Sequence, residues 1–135
     1  MQLGKCFVIM YLLIGNIVKE TNMKTFKEFL NERKSVEEVN PANGDTEYRN
    51  VKGQLHRLDG PAVIRRTGGE NWYKNGKLHR EGGPAIQHAN GDKIWWVNGK
   101  LHRLDGPAVE YANGDKEYWV KGKQLSSDEF NAKYN

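Results

Sequence analysis

A repeat of 23 residues places the strongest constraint on the fold of this chain. A glycine, a His-Arg pair and a Gly-Pro-Ala triplet all recur at this spacing. The positions are Gly53, Gly76, Gly99 and Gly122; His56, His79 and His102; Arg57, Arg80 and Arg103; and triplets that start at Gly60, Gly83 and Gly106. Because one unit of this length cannot bury an apolar face alone, neighbouring units are expected to pack against each other.

Turn residues inside each unit predict short antiparallel strands. Asn-Gly pairs at 90–91 and 113–114 predict type I′ hairpin turns, in which both central residues have positive φ, and the pairs at 75–76 and 98–99 predict a second turn in each unit. Runs such as 107–112 and 116–120 are then the strands, and a proline can only begin one or lie at an edge. Residues 42–45 repeat the tail of a unit, offset by one inserted residue. The sequence therefore predicts an all-β meander or solenoid of hairpin repeats over residues 42–125.

Two series of aromatic residues follow the same period. The first contains Trp72, Trp95 and Tyr118, and the second contains Tyr73, Trp96 and Trp119. Adjacent residues of a strand point to opposite faces, so each series is expected to line one face of the sheet. Together with Leu55, Leu78 and Leu101, these aromatic ladders are expected to form most of the small core.

The last unit breaks after residue 123 and gives way to a helical pattern. Ser126 and Glu129 form a capping box, and Phe130 and Tyr134 follow one turn apart. Terminal units of repeat proteins need a cap, so residues 126–135 are predicted to be a C-terminal capping helix.

The unit resembles the MORN repeat, and more closely its divergent variants in phage and bacterial proteins. The resemblance lies in the 23-residue period and in the aromatic-x-x-Asn-Gly-Lys-x-His core, over about residues 42–130. MORN units usually have glycine after the histidine, whereas Arg57, Arg80 and Arg103 follow it here. The membrane role of some MORN proteins is therefore not carried over. The resemblance implies a scaffold for interaction and no particular reaction.

The repeated His, Arg and Asp side chains could be structural, could form a recognition row, or could bind a metal. The residues are His56, Arg57, Asp59, His79, Arg80, His102, Arg103 and Asp105. The second unit has Glu81-Gly82 where the others have Leu-Asp, so a repeated ligand would be lost there. Equivalent histidines also lie in a row instead of converging on one ion. We expect these side chains to hydrogen-bond the backbone of their loop, with no metal, cofactor or enzyme activity.

The first 22 residues have a different composition. Cys6–Val18 is an apolar run of 13 residues, shorter than the roughly 20 needed to cross a bilayer. Lys19-Glu20 can be encoded by AAGGAG, a bacterial ribosome-binding sequence, at a suitable distance before Met23. We expect translation to start at Met23, so that residues 1–22 are an upstream extension. The alternative is a short hydrophobic anchor or export signal.

Residues 23–32 form a predicted leader. Phe26, Phe29 and Leu30 give one apolar stripe of a short helix. The segment resembles the capsid-targeting leader of the internal head proteins of T-even-type phages, which begins Met-Lys-Thr-aromatic and ends in Leu/Ile-x-Glu. In those proteins the prohead protease cuts after the glutamate of this motif. The matching residues here are Leu30-Asn31-Glu32, so the cut would follow Glu32. Residues 33–41 are charged and are predicted to be a linker.

These features suggest a virion-packaged internal head protein. The resemblance implies docking on the phage prohead core, cleavage after Glu32 and injection with the DNA, after which the repeats would bind and inhibit a host protein in the host cytoplasm. The alternative is a protein-protein interaction module that is not packaged and stays in the host cytoplasm. Arginines between aromatic residues could also bind single-stranded nucleic acid. The net charge of +4 favours that binding only weakly.

Overall fold

The computed structural model describes residues 35–134 of the chain. They belong to a compact unit that spans Arg33–Asn135. The upstream extension (1–22), the leader stripe of Phe26, Phe29 and Leu30, and the predicted cleavage site at Leu30-Asn31-Glu32 lie outside the described residues. No helix within residues 35–134 has the length and hydrophobicity needed to cross a membrane.

Most of the regular secondary structure in the described residues is antiparallel strand. The strands are β1 (Val36–Val39), β2 (Thr46–Arg49), β3 (Val63–Ile64), β4 (Gly69–Asn71), β5 (Tyr73–Lys74), β6 (Lys77–Leu78), β7 (Ile86–His88), β8 (Lys93–Ile94), β9 (Trp96–Val97), β10 (Lys100–Leu101), β11 (Val109–Glu110), β12 (Lys116–Val120) and β13 (Lys123–Leu125), and a helix, α1, spans Ser127–Tyr134. The prediction of an all-β chain with a short C-terminal helix is confirmed.

The strands form one large open sheet and two small hairpins. The large sheet has nine strands in the order β1-β2-β3-β4-β7-β8-β11-β12-β13. The β5–β6 and β9–β10 hairpins form separate two-stranded sheets between the hairpins of the large sheet. Register is regular from unit to unit, since Ile86 pairs with Ile94 and Val109 with Glu117 across the two corresponding hairpins. Each repeat therefore contributes one hairpin to the large sheet.

The turns of the small hairpins lie where the sequence predicts turns, and their geometry is type I′. Asn75 and Gly76 have φ values of 50° and 77°, and Asn98 and Gly99 have 50° and 76°. Positive φ at both central residues is the property of a type I′ turn, whose twist matches that of the strands. In the last unit Lys121 takes the asparagine position with a φ of 53°.

The turns of the large sheet are not type I′, and that prediction is wrong. Gly91 and Gly114 have positive φ, but Asn90 and Asn113 do not. The Gly91 N–H donates to His88 O at 3.0 Å and the His88 N–H donates to Asp92 O at 3.0 Å, which closes a loop of three residues. The Asn90 side chain accepts from the Asp92 N–H at 3.0 Å, so a local hydrogen bond holds Asn90 outside the left-handed region.

The predicted linker over residues 33–41 contains a strand, so that prediction is wrong for Val36–Val39. This segment, β1, pairs antiparallel with β2, with Val36 opposite Arg49 and Val39 opposite Thr46. Both valines are exposed, at 51% and 66%. Because β1 gains its order from backbone pairing at an edge and not from burial, it has no hydrophobic period to reveal it.

The core also differs from the prediction. The alanines of the Gly-Pro-Ala triplets, Ala62, Ala85 and Ala108, are 0% exposed, whereas the repeat aromatics are only half-buried. Each of these alanines accepts a backbone hydrogen bond from the aromatic residue of its unit, for example Trp95 N–H to Ala108 O at 2.8 Å. Trp72 and Trp95 instead lie under arginine side chains. The buried centre of the sheet therefore consists mainly of small side chains, the three alanines together with Val63 and Val109.

Helix α1 caps the last unit as the sequence predicts. The Ser126 N–H donates to Glu129 Oε2 at 2.8 Å, and the Glu129 N–H donates to Ser126 Oγ at 3.2 Å, which completes a capping box. The Ser126 N–H and the Ser126 hydroxyl both donate to Glu129 Oε2, and these two hydrogen bonds hold the pKa of the Glu129 carboxyl below its usual value. Phe130 is 0% exposed, and its ring centroid lies 4.8 Å from that of Tyr118.

Removal of the Phe130 ring is expected to expose the open end of the sheet. Phe130→Ala should lower the free energy of unfolding by about 3–5 kcal/mol, because it leaves a cavity over Tyr118. Urea denaturation measures the change, with Ala132→Gln as the matched control on the exposed face of α1. A loss below about 1 kcal/mol for Phe130→Ala would show that α1 does not seal the sheet.

Candidate interaction site

An arginine lies over an aromatic ring in each unit. The distances from guanidinium Cζ to ring centroid are 4.0 Å for Arg57 over Tyr48, 3.8 Å for Arg80 over Trp72 and 4.0 Å for Arg103 over Trp95. Such cation–π contacts are worth about 0.5–2 kcal/mol, depending on how far the charge is removed from water. The half-buried rings are therefore covered by the planar face of a cation.

A glycine closes the other side of each guanidinium. A Cβ placed on Gly60, Gly83 or Gly106 would lie 3.0–3.1 Å from the Cζ of the arginine three residues earlier. None of these glycines has a positive φ, so the reason for glycine is space and not backbone conformation. The arginine is thus held between an aromatic ring and bare backbone.

The edges of two guanidiniums are paired with aspartate. Arg57 Nε donates to Asp59 Oδ1 at 3.0 Å, and Arg103 Nε donates to Asp105 Oδ1 at 2.9 Å. The hydrogen bond and positive charge of each arginine hold the pKa of its aspartate below the usual range. Both aspartate side chains are 84% exposed, so these pairs lie at the surface of the loop.

The second unit lacks this pair. Gly82 occupies the aspartate position, and the described hydrogen bond of Arg80 runs from Nη1 to the Pro84 carbonyl at 3.0 Å. The neighbouring Glu81 turns elsewhere, with Oε1 at 3.6 Å from His79 Nε2. Arg80 therefore keeps its position over Trp72 without a carboxylate on its Nε edge.

The histidines join each unit to the next. The Nδ1 atoms of His56, His79 and His102 accept the backbone N–H of the turn residue nineteen positions later, at distances of 3.0, 3.1 and 3.1 Å respectively. The donors are Asn75, Asn98 and Lys121. An Nδ1 atom that accepts a hydrogen bond carries no proton, which places the proton of the neutral ring on Nε2. Each histidine side chain therefore bonds to the backbone of the following unit, and not to the backbone of its own loop as the sequence predicted.

Backbone hydrogen bonds repeat at the same junctions. The amides of Arg57, Arg80 and Arg103 donate to the carbonyls of the second aromatic series at 3.0, 3.1 and 3.1 Å. The acceptors are Tyr73, Trp96 and Trp119. The side chain of Trp119 donates from Nε1 to Glu117 Oε2 at 2.8 Å, whereas the Trp96 Nε1 atom is buried without a hydrogen-bond partner.

A groove of about 650 Å³ runs between the first and second loops. Trp72 and the Arg57 and Arg80 loops line it together with two charged residues that the sequence analysis did not single out, Glu70 and Lys74. Glu70 and Lys74 lie two residues on either side of Trp72 in the sequence, and this period-2 spacing could have identified them. The groove combines an aromatic surface with charges of both signs.

Two further residues were missed by the sequence analysis. Tyr48 takes the aromatic place in the first unit, nine residues before its arginine instead of eight. The extra residue is absorbed in the turn at 50–53, which is closed by Gly53 N–H to Asn50 O at 2.9 Å. Asp92 accepts the Ala112 N–H at 2.8 Å, and this bond holds the Asp92 pKa below its usual value.

The predicted site residues thus fall into a row along adjacent units and do not converge on one point. Among the residues that the structure describes, no group of three or more His, Cys, Asp and Glu side chains is arranged to hold a metal ion. The arginines contact the first aromatic series, except that Phe130 packs on Tyr118 in the place of an arginine. The arrangement offers repeated surface features and one groove.

The glycine above each guanidinium allows a direct test of the sandwich. Gly106→Ala should lower the free energy of unfolding by about 1 kcal/mol, because the new methyl group, 3.1 Å from Arg103 Cζ, would crowd the guanidinium in its position over Trp95. In an Arg103→Ala background the same change should cost much less, since the guanidinium is gone. Urea denaturation of the unaltered chain, the two single variants and the double variant gives the coupling free energy between Gly106 and Arg103. An equal cost in both backgrounds would contradict the sandwich.

Comparison of the chain with protein-family models, with curated proteins and with solved structures finds no match in any of the three. The functional reading of the row and the groove therefore depends on their geometry and on the sequence pattern.

Proposed function

We propose that residues 42–125 form a solenoid of MORN-like hairpin repeats that acts as a protein–protein interaction module. The observation that carries the proposal is the groove beside Trp72, which lies between two equivalent loops. The repeated His and Arg hydrogen bonds hold these loops at fixed positions along the sheet. Rigid elements that display side chains in a row are the usual basis of recognition in repeat proteins.

The charges of the groove support a protein partner over a nucleic acid. Its lining includes the cations Arg57, Lys74 and Arg80, and the acids Asp59, Glu70 and Glu81. Nucleic-acid binding depends on an excess of cations that neutralise phosphates. A balanced set of charges around an aromatic surface instead suits the mixed side chains of a protein.

Site-specific crosslinking in infected cells tests the module. A benzoylphenylalanine at Lys74, inside the groove, should give a discrete adduct with a partner protein. The same crosslinker at Val51, which is 61% exposed and does not line the groove, should give none. Adducts at neither position, or equal adducts at both, would contradict a partner in this groove.

We further infer that the module is an internal head protein of a phage. Support comes from the leader pattern of residues 23–32 and from the described repeat domain, which lies downstream of the predicted cut after Glu32. In this proposal the leader docks on the prohead core, the prohead protease releases the module into the virion interior, and injection carries it to the host cytoplasm. There it binds and inhibits a host protein. The alternative is an interaction module that is never packaged and acts in the host cytoplasm.

Mass spectrometry of purified virions separates the two. The packaged protein should begin at Arg33. The Glu32→Gln variant should instead keep the leader and begin at Met23, since the protease requires the glutamate. Glu28→Gln, within the leader but outside the cleavage motif, is the matched control. Absence of the protein from virions, or its presence with the leader intact in the unaltered chain, would exclude the processed internal head protein.

A further inference from the structure

The three arginine loops differ at one place that bears on ligand binding. The first and third loops both read Leu-His-Arg-Leu-Asp-Gly-Pro, from residues 55 and 101. The second, from residue 78, reads Leu-His-Arg-Glu-Gly-Gly-Pro. In the first and third loops the aspartate occupies the Nε edge of the arginine, at 3.0 and 2.9 Å. The second loop keeps the arginine and loses its internal carboxylate.

The space beside Gly82 is open. A Cβ built on Gly82 would meet no atom within 4 Å. The guanidinium of Arg80 is nevertheless held as in the other loops, 3.8 Å from the Trp72 centroid, with Nη1 bonded to Pro84 O at 3.0 Å. The loop therefore holds the Arg80 guanidinium over Trp72 at the lining of the groove, with open space beside Gly82.

Glu81 does not replace the missing aspartate. Its side chain is 86% exposed, and its Oε1 atom lies 3.6 Å from His79 Nε2. Lys74, a second cation on the groove lining, is exposed. An incoming carboxylate would thus meet Arg80 without displacing an internal partner, with Lys74 on the same groove lining.

We propose that Arg80 is a binding site for a carboxylate side chain from an acidic segment of the partner protein. This site rests on the interaction module proposed above and gives the chemistry of its partner. The incoming carboxylate takes the place that Asp59 and Asp105 hold in the flanking loops. Those two pairs show, within the same chain, that a guanidinium held in this way can donate its Nε–H to a carboxylate.

A variant of the second loop provides the matched control. Asp alone at position 82 would be strained, because Gly82 has a φ of 76°. The double replacement Glu81→Leu with Gly82→Asp instead reproduces the full sequence of the other loops, in which the aspartate has no positive φ. It should fold like its neighbours and fill the site with an internal carboxylate.

Titration of the full chain with acetate tests the site without any partner protein. The Nε–Hε NMR signal of Arg80 should shift and saturate at constant ionic strength, whereas those of Arg57 and Arg103 should stay in place. The double variant should lose the Arg80 response. No Arg80 shift, equal shifts of all three arginines, or a response retained in the double variant would overturn the proposal.

Two further ligands identify the chemistry. The peptide acetyl-Gly-Glu-Gly-amide should bind on the order of tenfold more tightly than its glutamine counterpart, as expected for a hydrogen bond to a charged group. Inorganic phosphate should bind no more tightly than acetate; saturation at a lower phosphate concentration would overturn the carboxylate assignment. Failure of these titrations would leave the crosslinking test of the groove unaffected, so the two proposals fail separately.

Discussion

The arginine held between an aromatic ring and a glycine is the contact on which the rest of the structure depends. Arg80, between Trp72 and Gly83, is one of three such contacts in residues 35–134. It covers an aromatic ring that the thin sheet cannot bury, and it closes its own loop through a hydrogen bond to the Pro84 carbonyl. The arginine side chain thereby shields the ring from solvent, as a second layer of secondary structure would in a thicker domain. It can do so because the guanidinium is apolar on its faces and polar at its edges.

The histidines link each unit to the next by hydrogen bonds. Each Nδ1 atom accepts from the turn of the following unit, as His79 does from the Asn98 N–H at 3.1 Å. The loop that holds an arginine is therefore positioned by its neighbour as well as by its own strand. This coupling explains how a chain with few buried large side chains keeps a groove such as the one beside Trp72.

Local sequence patterns predicted the hairpin strands of the repeats, the positions of the small-hairpin turns and the capping helix, because each depends on neighbouring residues such as Asn75-Gly76 or Ser126 and Glu129. The core and the large-sheet turns could not be predicted in this way. The partial exposure of Trp95 depends on the position of the Arg103 side chain over its ring, and residue types alone do not reveal that contact. The site at Arg80 was visible as a departure from the repeat at Glu81-Gly82. That this departure leaves the Arg80 guanidinium without a carboxylate became evident only from the Arg57–Asp59 and Arg103–Asp105 pairs of the other loops.

The junctions between units have a consequence for how such a gene can change. Each junction uses the same donors and acceptors, from the histidine Nδ1 atom to the Gly99 N–H that donates to Leu78 O at 2.9 Å. Recombination between the repeats would add or delete one unit and leave every remaining junction matched. The length of the array, and with it the number of arginine loops, can therefore vary without a new interface having to arise.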